Sequence, residues 1–271
     1  MPIITVSRGT FSGGRAIAEC LAERLGYPCA SREMILEAAA QYGVPVTRLK
    51  EAMEKPPSFW QRLAGERTGY IDYFRAALCE RASKGELVYH GYVGHMLLTG
   101  ISHVIRVRVI AGWEFRIEAA GRERRLGRKE AIDYITKVDT ERARWMQFMY
   151  GVNWYDASLY DVVLNLEHMS LESACEVLTR VAQLPDFQPT AASMRAVEDL
   201  ALSSRVRAAL SMDARTRTNE VQVAAKDGVV TITGSAWFQQ QVEVVRSVAG
   251  QVAGVKEVLC DVTLTPPPAP D

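Results

Sequence analysis

The amino end constrains the fold more than any other stretch, because ITVSRGTFSGGRAIAECLAERLG runs a β-branched strand pattern into a glycine-rich turn and then an amphipathic helix. Ile3 to Val6 reads as a buried strand, and Arg15 to Leu25 as a helix with Ile17, Leu21 and Leu25 on one stripe. From Gly9 the spacing is that of G-x-x-x-x-G-K-[ST]. Gly9 and Gly14 fall in register, while Arg15 takes the lysine position and Ala16 the position of the metal-binding hydroxyl. Gly13 and Gly14 let successive backbone N–H groups close around an anion, and the helix adds the positive end of its dipole. The same residues also suit a plain strand-to-helix joint with Arg15 as a solvated charge, so the loop alone leaves both readings open.

At 271 residues and 48% hydrophobic residues the chain can bury a full core in one large or two ordinary domains. Thirty-two basic residues balance thirty-two acidic ones, which removes any global field toward nucleic acid or an anionic membrane. A polyanion site must then be local. Cys20, Cys29, Cys79, Cys175 and Cys260 are scattered, odd in number and without C-x-x-C spacing. They read mostly as packing residues in a reducing compartment, against a zinc ribbon or a disulfide framework. The lack of a signal-like amino end and of a long apolar run predicts a cytoplasmic protein without a transmembrane segment.

Helix and strand alternate along the first two thirds of the chain, the pattern of an α/β doubly wound parallel sheet. Helical stretches at Glu33–Gln41 and Val46–Met53 lead to a break at Pro56-Pro57, then to one or two helices over Phe59–Ala82. Strands follow at Glu86–Tyr89, Val104–Val109 and Leu159–Leu164, with a closing helix at Leu171–Leu184. Arg106 to Arg144 carries eleven basic and seven acidic residues, which reads either as an arginine-bearing lid over phosphates or as a solvated helical face. Pro185–Ala192 reads as a linker. Beyond it, a helix at Met194–Leu210, strands at Glu220–Ala225 and Val229–Thr233, a helix at Trp237–Val252 and a strand at Val255–Leu264 give an α-β-β-α-β unit. From Arg195 onward there are eight basic and nine acidic residues, which disfavours a dedicated nucleic-acid clamp. The proline-rich tail after Thr265 is expected to be disordered. The predicted domains are 1–188 and 195–265.

Residues 1 to about 185 resemble the cytidylate-kinase-like family, a branch of the nucleoside monophosphate kinases with a P-loop. The resemblance rests on ITVSRGTFSGGRAIA, RVRVIAGWEFRIEAA, DTERARWMQFMYGVNWYDASLYDVVLNLE and LESACEVL. In this branch the loop resembles S-G-G-R, which accommodates Arg15. The resemblance implies a parallel sheet with helices on both faces and ATP with Mg²⁺ as cofactors. It sets Gly9, Ser12, Gly13, Gly14 and Arg15 around donor phosphates and Arg116 near the hinge of a lid. Arg142 would face the transferring phosphoryl group, with Arg15 and Arg116 sharing the catalytic work, and Arg32 and Asp139 would bind substrate. It assigns no metal-ligating side chain. Trp154, Tyr155 and Tyr160 could stack on a base, though aromatics before a buried strand are more often core or rim residues, and Asp161 reads as capping or orienting a strand end. The chain departs from the family at Ser31, where an aspartate is common, and at Tyr92, where Gly91 is often followed by arginine. Ala16 lacks a hydroxyl for magnesium, leaving water and phosphates to fill its coordination.

Residues 195 to 265 resemble a BON domain, on KDGVVTITGSA and the later G-x-x-x-V. That resemblance implies ligand, lipid-surface or protein binding rather than catalysis. Three readings follow: an ATP-dependent nucleoside monophosphate kinase with a regulatory or docking BON module, a non-catalytic nucleotide sensor that keeps the kinase fold, and a protein-interaction module that binds no nucleotide.

Overall fold

A computed structural model describes residues 1–54, 66–91, 93–216, 221–236 and 238–264. The Pro56-Pro57 break, the start of the Phe59 stretch, Tyr92, Trp237 and the tail after Thr265 lie outside the described residues. The strands are β1 (Ile3–Arg8), β2 (Cys29–Ser31), β3 (Leu87–His90), β4 (Val104–Ile110), β5 (Val162–Asn165), β6 (Val221–Lys226), β7 (Val229–Ala236) and β8 (Glu257–Leu264). The α-helices are α1 (Gly14–Leu25), α2 (Arg32–Ala39), α3 (Val46–Glu54), α4 (Glu66–Ala82), α5 (Gly94–Leu97), α6 (Trp113–Arg124), α7 (Arg128–Tyr150), α8 (Leu171–Ala182), α9 (Ala191–Met212) and α10 (Gln239–Gly250).

The chain packs as two units. The first is built chiefly from Met1–Ile35 and Lys84–Ser193, and its strands form one parallel sheet in the order β2-β3-β1-β4-β5. Central β1 is buried on both faces, as a parallel strand covered by helices must be. Ile17 and Leu21 of α1 join Ile4, Val6, Val107 and Val109 in the core, and Cys175 and Leu178 of α8 close the same cluster. The register pairs Val6 with His90, and Arg8 with Val109. Arg8, His90 and the loop after β1 therefore meet at the carboxyl end of the strands, where open α/β sheets place their ligands.

Cys20 of α1 and Cys175 of α8 form a disulfide across 155 residues. This corrects the reading of the cysteines as mostly packing residues outside any disulfide. Their spacing is silent because only the side-by-side packing of α1 and α8 brings them together. Cys29, Cys79 and Cys260 are free thiols. Two boundaries also move. The strand read from Leu159 begins at Val162, because Ala157–Leu159 forms a 3-10 turn whose Asp156 side chain accepts from the Ser158 N–H at 2.8 Å. The segment read as a linker holds a second 3-10 turn, Pro185–Phe187, and the start of α9. There Thr190 and Ser193 exchange side-chain-to-N–H hydrogen bonds of 2.9 and 3.1 Å, a reciprocal helix cap.

The second unit takes in Leu36–Met53, the described part of 60–83 and the chain from Met194 onward. Its sheet has the order β6-β7-β8, with β6 antiparallel and β8 parallel to β7. Asp227 and Gly228 both have positive φ, 52° and 89°, the geometry that a tight hairpin between twisted strands requires. Leu202, Val206 and Leu210 of α9 pack with Val230, Ile232, Val245 and Ala249. The α-β-β-α-β order predicted for the carboxyl end is the one seen. The inclusion of α4, from the sequence between β2 and β3, is not visible in chain order.

Candidate functional site

The loop Gly9–Gly13 is pinned to its neighbours at nearly every residue. Gly9 N–H and Ser12 Oγ both donate to the Val109 carbonyl of β4, at 3.3 and 2.8 Å, and Ser12 N–H donates to Gly9 O at 3.2 Å. Gly13 caps α1 in the left-handed region at φ 82°. A Cβ there would lie 2.7 Å from Leu166, and one on Gly14 would lie 2.6 Å from the Arg8 Cβ. Gly13 requires glycine for space as well as conformation, and Gly14 for space. The first turn of α1 presents N–H groups with no acceptor inside the helix, and its first intrahelical bond runs from Ile17 N–H to Gly13 O at 3.1 Å.

Thr10, at the loop's crest, is held from the far side of the sequence. Its N–H and its hydroxyl both donate to Asp139 Oδ1, at 3.0 and 2.6 Å. Arg116 donates from Nε to the Thr10 carbonyl at 2.8 Å and pairs through Nη2 with Asp139 Oδ2. Arg142 donates to Thr10 Oγ1 at 3.2 Å and to Arg8 O at 3.3 Å, with Asp139 Oδ1 3.9 Å away. Asp139 and Arg142 lie one helical turn apart on α7, and Arg116 lies on α6. Ile117, Ala120, Ala131 and Ile135 lock those two helices together, with Phe11 of the loop packed against them. The helical pair therefore carries two arginines to the glycine loop on a packed apolar contact.

The remaining predicted residues behave differently. Arg15 points to solvent and pairs with Glu19 through a 2.7 Å hydrogen bond, which raises its pKa. Arg32 starts α2 and bonds Glu33 at 3.1 and 3.2 Å. Ser31, where the family often has aspartate, accepts the Met34 N–H at 3.2 Å and so caps the same helix. Asp139, which the resemblance assigns to the substrate, holds the loop and Arg116 with its two carboxylate oxygens. Trp154 is fully buried, donating from Nε1 to Ser7 Oγ at 3.2 Å, and the Arg108 guanidinium lies 4.3 Å from its ring centroid. Asp161 receives the backbone and guanidinium of Arg106 at 2.8, 3.1 and 2.7 Å, which ties β4 to the start of β5.

Arg8 and His90 escaped the sequence reading. Arg8 ends β1 with a buried Nε that has no hydrogen-bond partner. Burial pushes its pKa down, and Arg32 and Arg15 add to the effect against the pull of Glu33. Burial, with Arg8 beside it, holds His90 at about 4. An arginine closing an otherwise apolar strand was the available signal. These guanidiniums and the open helix amino end make a cationic cradle in which an oxyanion would satisfy buried donors. The fit to a divalent metal is poor: Ala16 has no hydroxyl, Ser31 is used as a cap, and the described residues contain no group of three metal-ligating side chains.

The family model for the cytidylate kinase-like family matches residues 3–168, and that for the BON domain matches 198–266. Cytidylate kinase of Ignicoccus hospitalis is 25% identical over 184 residues, covering 67% of this chain and 99% of that protein. Cytidylate kinase of Pyrobaculum aerophilum is 24% identical over 178 residues, covering 65% and 90%. A solved structure of an uncharacterised protein from Eubacterium ventriosum shares the fold with a TM-score of 0.52 at 18% identity, over 67% of this chain and 98% of that one. No helix among the described residues is long and apolar enough to cross a membrane. The glycine loop, the arginines brought to it and a family match spanning most of the first two thirds of the sequence together show that this chain belongs to the cytidylate kinase-like family, its P-loop kinase-type domain followed by a BON domain.

Proposed function

We propose that the kinase-type domain binds a nucleoside triphosphate at Gly9–Arg15 and transfers its terminal phosphoryl group to a nucleoside monophosphate, with the BON domain as a regulatory or docking module. The similarity to two proteins named cytidylate kinase makes cytidine monophosphate the first acceptor to try. The observation that carries the reading is the convergence of Arg116 and Arg142 on Thr10, because phosphoryl transfer depends on positioning and on neutralising charge rather than on covalent help. Arg142 stabilises the charge that develops in transfer, Arg116 keeps loop and lid in register, and Arg8 with Arg32 receives the acceptor phosphate. The acceptor oxygen attacks already ionised, so no general base is required. Mg²⁺ would come with the triphosphate, held by its phosphates and water. The site is proposed to work in the cytoplasm.

A second reading, a nucleotide sensor without turnover, is favoured by Arg15 being paired with Glu19 and Arg116 with Asp139. Incubating the full chain with labelled ATP, magnesium and each nucleoside monophosphate separates the two. Labelled diphosphate product supports the kinase; binding without product from any acceptor supports the sensor.

A further inference from the structure

The second unit carries a partly open cavity of about 330 Å³ between α4, α9 and β6, the edge strand of its sheet. Its volume is that of a small-molecule site. Asp72 and Arg75 line it from α4, Ser204 and Arg207 from α9, and Gln222 from β6. Arg207 Nε lies 3.0 Å from Asp72 Oδ2, and the Ser211 hydroxyl donates to that same oxygen at 2.7 Å. One carboxylate thus serves two guanidiniums, and Arg207 takes the close contact. Arg75 Nε is shut off from solvent with no hydrogen-bond partner. The cavity therefore carries one positive charge more than its side chains neutralise. A buried guanidinium nitrogen without an acceptor is costly, and an unsatisfied buried donor calls for a specific cause.

We infer that this cavity is a binding site for a small phosphate monoester, separate from the phosphate loop, with Arg75 and Arg207 as its anion-holding residues. Guanidinium forks match phosphate oxygens in pairs. The Ser204 hydroxyl, which donates to the Cys79 sulfur at 3.6 Å, supplies a third donor. The volume suits a compact molecule. The site uses α4 from the kinase-like stretch and α9 and β6 from the carboxyl end, so neither stretch would hold it alone. It does not depend on the kinase reading.

Hydrogen–deuterium exchange on the full chain tests this, with glycerol 3-phosphate or inorganic phosphate compared against chloride at equal ionic strength. Glycerol 3-phosphate should slow exchange in α4, α9 and β6, and Arg75→Met should weaken that protection at least tenfold in ligand concentration. Arg75→Met also removes a guanidinium nitrogen that is buried without an acceptor, so its melting temperature without ligand should not fall. Arg75→Lys should keep partial binding. Protection confined to residues 9–16, protection unchanged in Arg75→Met, or protection by phosphatidylglycerol vesicles but not by glycerol 3-phosphate would each overturn the inference.

Discussion

Thr10 gives both its backbone N–H and its hydroxyl to one carboxylate oxygen of Asp139, 129 residues away in the sequence. That pair of hydrogen bonds couples the glycine loop to α7, and Arg116 completes the link from α6. Removing the carboxylate leaves Arg116 buried beside no counter-charge and Thr10 without its acceptor. Asp139→Ala should lose about 3–5 kcal/mol of stability, the usual cost of breaking one side of a buried pair. Asp139→Asn keeps an acceptor for Thr10 and should lose less. Urea unfolding of the two variants checks this ranking, and equal losses would contradict it.

Two buried histidines predict a dependence of stability on pH. Burial, helped by Arg8 at His90 and by Arg108 at His95, holds both at about 4 against 6.5 for the free side chain. The unfolded chain therefore takes up protons that the folded chain refuses. Stability should be full above about pH 6.5 and fall as the pH drops from there toward 4. Melting curves across that range should show the decline. His95→Phe should make it shallower, since the ring meets Tyr160 at a tilt with centroids 4.8 Å apart and neither of its nitrogens has a hydrogen-bond partner.

The Cys20–Cys175 disulfide clamps the helix that follows the phosphate loop to the helix that closes the sheet. Reduction should lower stability by about 2–4 kcal/mol, the common range for a disulfide. A Cys20→Ser, Cys175→Ser double variant should melt at the reduced protein's temperature and ignore added reductant. A wild-type melt indifferent to reductant would show that the pair does not form in solution.

The strands and the glycine turn were legible because their signals are local: alternation, β-branching, and two glycines with no room for a side chain. Gly14 meets Arg8, a contact inside the strand-loop-helix unit, whereas Gly13 meets Leu166 from beyond β5, which no local pattern records. Arg116, Asp139 and Arg142 were legible as a set only through family resemblance, and their actual joint, Thr10, was missed because threonine in a turn is unremarkable by itself. The disulfide and the grouping of α4 with the carboxyl-terminal sheet come from tertiary packing, with Asp72 reaching Arg207 across about half the sequence. No periodicity records such contacts. Arg15 shows the opposite limit: its position in the motif was plain, and its rotamer, turned to Glu19, was not.

Arg15 is also where the central claim, that this loop holds nucleotide phosphate, meets its most direct measurement. Its ion pair with Glu19 is exposed, so Arg15→Ala should change the melt by no more than about 0.5 kcal/mol. If Arg15 releases Glu19 to meet a phosphate, the same substitution should weaken binding by roughly ten- to a hundredfold. Calorimetric titration of ATP into wild type and the folded Arg15→Ala variant reads both quantities. The account predicts saturable binding by wild type and the stated loss in the variant; no binding by wild type, or equal affinity in the two proteins, would contradict it.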